Sequence, residues 1–299
     1  MKKLLLALIL GSSLAYSYPL KTVKGEVEIE KVPAKIAVFD VGVLDNLDAL
    51  GIKVAAMPDK LRPLYLAESQ KQAQTVGTLF EPDLEKLAAI QPDLIIVAAR
   101  SAPKLDAVSQ VGKAVDLTLD NKNAYSQSLE RLNEFANIFN KQEEAKAITA
   151  RIEKLKDEVK DLAQNQGKVL AILVNGPKLS LYGKGSRIGW VEETLGLSLI
   201  DKEKDPNASG HGNPISFEFI AEQNPDWIFV IDRAAAIGQD LTAAKTVLDT
   251  PLVQETQAGK KGQILYLSPE EIYIDIGGVQ ALEKTLTELK TAFLEKVKK

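Results

Sequence analysis

The sequence predicts an α/β protein in which two αβα lobes are joined by a long α-helix, with a ligand cleft between the lobes. Three observations carry this prediction. Apolar strand-like runs alternate with helical segments along most of the chain, the pattern of mostly parallel sheets flanked by helices. The stretch PDLIIVAAR at 92–100 returns as PDWIFVIDR at 225–233, an offset of 233 − 100 = 133 that also pairs Glu85 with Glu218. Between the two copies, Ala145, Ile148, Ile152, Leu155, Val159 and Leu162 recur at spacings of three and four, which marks one face of a long helix.

That connecting helix is read over 141–166. It contains no Gly or Pro, sets Glu153 against Lys156 and Asp157 against Lys160, and is followed by Gly167 as a stop. At ~1.5 Å per residue it would run roughly 35–40 Å, enough to cross a small lobe. Only small closure of the lobes is expected, because a helix resists hinging more than a loop does.

The N-terminal lobe is placed at 18–140. Residues 23–31 (VKGEVEIEK) alternate and read as an edge strand. Strands are expected at 35–40, 54–57, 94–99 and 115–119, the run LIIVAA at 94–99 being of the kind buried on both sheet faces. Helices are expected at 44–50, within 61–74, at 82–90 and at 125–139; the third opens on Pro82 with acids in its first turn. The C-terminal lobe, 167–299, starts the pattern again. Its strands fall at 168–174, 179–182, 197–200, 227–231 and 263–267, and its helices at 190–195, 217–223, 241–248 and 278–297. Leu50-Gly51-Ile52 matches Leu195-Gly196-Leu197. A duplicated, Rossmann-like lobe accounts for all of this.

Composition narrows the function. A net charge of −4 argues against nucleic-acid binding. The chain has no cysteine, so disulfides, thiolate chemistry, sulfur-ligated metals and a lipid-anchored lipoprotein are excluded. Lys2 and Lys3 precede the apolar run 4–10, with Ala15 and Ser17 in cleavage-site positions. This reads as a signal peptide over 1–17, exporting a soluble, monomeric protein to a periplasm.

Arginine is scarce, six against 31 lysines. Arg62, Arg131 and Arg151 sit in loop or charged helical sequence. Arg100 and Arg233 each follow a buried strand, and Arg187 lies in a glycine-rich loop after the strand at 179–182. Ligands bind outside the carboxyl ends of strands in open α/β sheets. Guanidinium groups there suit an anionic, oxygen-rich or flat aromatic ligand. The only histidine, His211, lies in the loop NASGHGNP and cannot build a metal cage alone. It can complete the coordination of an ion whose other ligands arrive with a small molecule. Tyr273, in SPEEIYIDIGG after the last strand, offers a hard phenolate oxygen suited to Fe(III). Gly183, Gly185 and Gly189, with Asp201 beyond, imitate a dinucleotide loop, but the spacing is G-x-G-x-x-x-G. No G-x-S-x-G or H-E-x-x-H motif is present.

EPDLEKLAAIQPDLIIVAAR, LYGKGSRIGW, HGNPISFEFIAEQNPDWIFVIDR and the tyrosine loop before Gly277-Gly278 resemble a known family across 32–299. It is the periplasmic ferric-siderophore-binding proteins of ABC importers, and within them the catecholate-binding branch. The resemblance implies a non-enzymatic carrier with no intrinsic cofactor and a ferric siderophore as its ligand. Arg100, Arg187 and Arg233 would face the catecholate oxygens, and His211 and Tyr273 would complete the iron's coordination. Glu85 and Glu218 would dock on the arginines of an inner-membrane permease. A cobalamin or haem carrier of the same architecture is the nearest alternative, followed by a periplasmic nucleotide-binding enzyme using the Gly183 loop.

Overall fold

The computed structural model describes residues 17–202, 212–239 and 242–297. His211, and the expected signal peptide apart from Ser17, lie outside them. The strand expected at 23–31 is β2 (Gly25–Ile29), and it pairs antiparallel with a preceding strand not expected from the sequence, β1 (Tyr18–Thr22), the chain turning between them at Gly25, φ +111°.

The N-terminal half then builds β3 (Ile36–Phe39), α1 (Val41–Ala49), β4 (Ala56–Met57), α2 (Leu64–Ser69), β5 (Gln74–Thr75), α3 (Leu84–Ile90), β6 (Leu94–Val97), α4 (Leu105–Val108), β7 (Ala114–Asp116) and α5 (Ala124–Phe139). Its five strands are all parallel, in the order β5-β4-β3-β6-β7. The order therefore reverses between β3 and β6, and a crevice opens at their carboxyl ends. The helix expected within 61–74 is α2, and the stretch ends in β5. That strand is two exposed polar residues at the sheet edge, too short to leave an apolar signature.

α6 (Gln142–Ala163) is the connecting helix. Ala145, Ile148, Ile152, Val159 and Ala163 are buried along one face. On the other, Lys156 bonds Glu153 at 2.6 Å and Asp157 at 3.0 Å. The helix stops at Ala163, before Gly167. The glycine there answers a different need: at φ +80° an added Cβ would lie 2.1 Å from an Asp226 carboxylate oxygen.

The C-terminal half comprises β8 (Lys168–Asn175), β9 (Lys178–Leu181), α7 (Trp190–Leu195), β10 (Ser198–Leu199), β11 (Asn213–Ile215), α8 (Phe217–Gln223), β12 (Trp227–Asp232), α9 (Arg233–Ala236), α10 (Ala244–Val247), α11 (Pro251–Gln254), α12 (Gln257–Lys261), β13 (Ile264–Tyr266), α13 (Pro269–Tyr273) and α14 (Val279–Val297). Its sheet runs β11-β9-β8-β12-β13, with β10 beside the start of β8. β8, β10, β12 and β13 are parallel, while β9 runs antiparallel between β8 and β11. Two segments expected to be irregular are helical. Arg233 opens α9, capped by Asp232, and Tyr273 ends α13, which has Pro269 in its first turn.

The duplicated Pro-Asp turn has a physical cause. α3 and α8 each end in a left-handed residue, Gln91 at φ 54° and Asn224 at φ 43°. The aspartate that follows accepts from the backbone N–H at the neighbouring strand's entry, Asp93 from Lys35 at 2.8 Å and Asp226 from Lys168 at 2.9 Å. Both bonds span 58 residues, so the same clamp is built twice.

The closing helix ties the halves together. α14 packs on α6, α1, α5 and α13, with Arg151–Glu283 and Lys290–Glu158 ion pairs along α6. At its start, Gly42, Gly277 and Gly278 leave no room for a side chain: a Cβ would meet Ile276 O at 2.2 Å, Leu119 Cδ1 at 2.1 Å and Asp275 Oδ1 at 2.3 Å. In this seam the Tyr65 hydroxyl lies 2.5 Å from Asp45 Oδ2 and 2.9 Å from Asp275 Oδ2, both acids being buried. One phenol hydrogen cannot serve two carboxylates, so one acid holds a proton. Burial pushes Asp45 up to about 6, and burial together with the Asp45 charge holds Asp275 well above the usual range. The folded protein thus binds these protons more tightly than the unfolded chain. The pair's contribution to stability is fully present below the ordinary carboxylate range and is lost as pH rises through about 6. Urea midpoints measured across this window are expected to decline, and Asp275→Asn is expected to flatten the decline.

Candidate functional site

Three of the six arginines converge on one residue. Arg100 follows β6 at the point where the N-terminal sheet reverses. Arg187 comes from the loop between β9 and α7, and Arg233 from the carboxyl end of β12. Their guanidinium carbons stand 5.4, 4.2 and 5.9 Å from the ring centre of Tyr273, within cation–π range. The Tyr273 carbonyl accepts from Arg100 Nη2 at 2.6 Å and Arg187 Nη1 at 3.1 Å. Arg100 Nη1 reaches the Ile274 carbonyl at 3.3 Å. Arg233 Nε donates to the Tyr273 hydroxyl at 3.0 Å, and its Nη1 to Asn175 Oδ1, at the end of β8, at 3.2 Å. Tyr273 itself is buried.

The other three arginines behave differently. Arg62, Arg131 and Arg151 are each within salt-bridge distance of a glutamate, Glu270, Glu134 and Glu283. Among the described residues no carboxylate stands that close to Arg100, Arg187 or Arg233. Asp232, the nearest acid in sequence to Arg233, is occupied: one oxygen caps α9 through Ala235 N at 3.0 Å and the other accepts from Ala244 N at 2.8 Å. Burial, and then the like charge of Arg187, hold the Arg100 guanidinium below its ordinary range. Asp40, which caps α1 across the β3–β6 crevice, moderates this only at a distance. The site is a concentration of positive charge held by neutral oxygens and a ring face. Such an arrangement suits an anionic partner chemically.

Glu85 and Glu218 take equivalent places. Each is the second residue of its helix, after the caps Asp83 and Ser216, and each is exposed. Neither contacts the arginine cluster. The Gly183 loop is already engaged by its own chain. Lys184 N donates to Asp201 Oδ2 at 3.2 Å, and a Cβ on Gly183 would lie 1.9 Å from the other carboxylate oxygen. The acid that made this loop look like a dinucleotide site is therefore packed against the loop itself.

Sequence reasoning missed Asn175 and Tyr182. Asn175 is the polar end of an otherwise apolar strand, a signal that was available. Tyr182 ends the predicted strand at 179–182 but reads there as one more core aromatic. Its buried phenol is pushed up to about 12 by burial, with Arg187, Arg100 and Arg233 pulling it back. It lies close beneath the cluster.

Two α/β halves bridged by a helix, with an unpaired cationic cleft where their strand ends meet, define a two-lobed solute-binding protein. The chain belongs to the periplasmic binding protein family, whose profile matches residues 36–271. It is 34% identical over 271 residues to the petrobactin-binding protein YclQ of Bacillus subtilis, covering 89% of this chain and 84% of that protein. The crystal structure of YclQ superposes with a TM-score of 0.85 over 93% of this chain and 99% of that one, at 31% identity. The ferric-anguibactin-binding protein FatB of Vibrio anguillarum is 29% identical, over 89% of this chain and 84% of its own. The periplasmic catecholate-siderophore-binding protein VctP of Vibrio cholerae matches with a TM-score of 0.83 and 27% identity, over 92% of this chain and all of that one (100%). The family resemblance read from the sequence, to siderophore-binding proteins of ABC importers, is borne out, as is the fold class. No described helix is long and apolar enough to cross a membrane.

The contrast between the two arginine sets is testable by urea unfolding. Arg131→Gln is expected to cost about 3 kcal/mol, since it strips Glu134 of its partner in a pair only 9% and 12% exposed. Arg187→Gln is expected to cost less than about 1 kcal/mol, because it also relieves repulsion within the cluster.

Proposed function

We propose that this protein captures a ferric siderophore of the catecholate class outside the cytoplasm and delivers it to an ABC permease of the inner membrane. It works as a monomeric carrier with no intrinsic cofactor and no turnover of its own. The single observation that carries this is the meeting of Arg100, Arg187 and Arg233 on Tyr273 without a carboxylate in salt-bridge range among the described residues. A ferric tris-catecholate carries about three negative charges, which three guanidinium groups in a low-dielectric cleft offset with little metal contact. Catecholate rings are flat as well as anionic, and guanidinium planes accept flat aromatics by stacking. The cluster already packs against one such ring, Tyr273.

A siderophore with four donor atoms leaves two iron sites open. His211 and Tyr273 would fill them with a nitrogen and a phenolate oxygen. Relatives that carry petrobactin, ferric anguibactin and catecholate siderophores support the ligand class. A cobalamin or haem carrier has less use for three unpaired arginines. An enzyme using the Gly183 loop would have to displace Asp201 from it.

Titration of the mature protein with ferric bis- and tris-catecholates tests the reading, followed by Trp190 and Trp227 fluorescence and the visible charge-transfer band. Tight quenching is expected for both, weakening as salt is added. A band shift is expected only for the bis-catecholate, and it should vanish in His211→Ala/Tyr273→Phe. Binding of neither complex would overturn the siderophore reading.

Glu85 and Glu218, equivalent and exposed, are proposed to meet arginines of the permease, one acid per lobe. Glu85→Ala/Glu218→Ala is expected to bind ligand as the parent does while losing siderophore-dependent uptake. Undiminished uptake would remove the docking role.

A further inference from the structure

We propose that the Tyr182 hydroxyl is a further ligand contact in the cleft, donating a hydrogen bond to an anionic oxygen of the bound ferric complex. The inference rests on the siderophore reading above and adds to it a neutral donor beneath the cationic ones.

Tyr182 follows β9 and is 2% exposed, in the apolar cluster that also holds Ala171, Leu173, Ile188 and Trp190. Its backbone is fixed, with Tyr182 N donating to the Ala171 carbonyl at 2.8 Å. Its ring is fixed too. Gly212, at φ +88°, lies across it so closely that a Cβ there would meet Tyr182 Cδ1 at 3.0 Å and Cε1 at 3.2 Å. β11, which starts at the next residue, pairs Asn213 with Leu181 and holds that crossing in place.

The hydroxyl at the far end of this clamped ring has no hydrogen-bond partner among the described residues. A phenylalanine would fill the same apolar surroundings without burying an unsatisfied polar atom, which is costly to leave unmade. The oxygen is also not isolated from the site. The groups that act on it electrostatically are Arg187, Tyr273, Arg100 and Arg233, the whole of the arginine cluster. Near three cations, a phenol that keeps its proton can donate to an anionic oxygen that those cations draw in. O–H···O⁻ bonds are among the stronger hydrogen bonds. Catecholate oxygens on ferric iron are such acceptors, and they would arrive where the guanidinium groups draw them.

The test compares the parent protein with Tyr182→Phe, using ferric bis-catecholate and ferric tris-catecholate as probes. Expected are roughly tenfold or greater weakening of binding, a melting temperature of the free protein that is unchanged or raised, and a charge-transfer band at longer wavelength. The last follows because loss of a donated hydrogen bond raises the energy of the catecholate electrons. Parent binding with Tyr182→Phe affinity within twofold would overturn the contact and leave the siderophore function standing; a water or nothing would then face the hydroxyl. Weakened binding with a lowered melting temperature and an unmoved band would mean that Tyr182 only supports the fold, which also overturns it. Failure of the parent to bind either probe would overturn both readings together.

Discussion

Three like charges sharing one buried aromatic residue are a standing electrostatic cost, and much of the architecture serves to maintain it. Arg100 enters from the N-terminal half, while Arg187, Arg233 and Tyr273 come from the C-terminal half. The cluster can exist only if the two halves are held in register. α6 and α14 do this with a shared apolar seam and cross-linking ion pairs. The glycines do it by close approach: Gly42 against the Ile276 backbone, Gly277 against the Leu119 side chain, and Gly278 against the Asp275 and Asp45 side chains. The Tyr65–Asp45–Asp275 contact closes the same seam by spending a proton instead of a charge.

The arginine cluster also differs from the salt bridges that the same residue type builds elsewhere in the chain. Arg62, Arg131 and Arg151 have glutamate partners and hold segments together. Arg100, Arg187 and Arg233 take carbonyl, amide and phenol oxygens, which position a guanidinium without neutralising it. Asp232 would be the obvious partner for Arg233, yet it is committed to helix capping. Positive charge is thereby left without a carboxylate in salt-bridge range among the described residues, and the ring face of Tyr273 lies within cation–π range of all three groups.

Much of the cleft was legible in the sequence. Arg100 and Arg233 stood at the ends of buried strands, and the 133-residue offset announced that those ends were equivalent. The offset reflects a clamp used twice, a left-handed residue and then an aspartate tied to the next strand, which demands particular residue types and so leaves a trace. Short elements left none. β5 is two polar residues, and α9 and α13 are helices of four and five residues whose sequences read equally well as loop. Tyr182 was hidden because a tyrosine in a strand looks the same whether its hydroxyl is satisfied or not.

From the sequence alone came the alternation of strands and helices, the duplication, the bridging helix and the sorting of six arginines into two kinds. Each depends on local periodicity or on residue type at a fixed spacing, which a linear chain carries in full. Only the tertiary structure decided that Tyr273 lies at the centre of the arginines rather than beside them. It also decided that Gly277-Gly278 serves a seam, that Asp201 fills the glycine loop, and that the Tyr182 phenol is unpaired. These are facts about which distant groups meet and which are left over. They arise from packing across 17 to 235 residues of chain, and no local pattern encodes them.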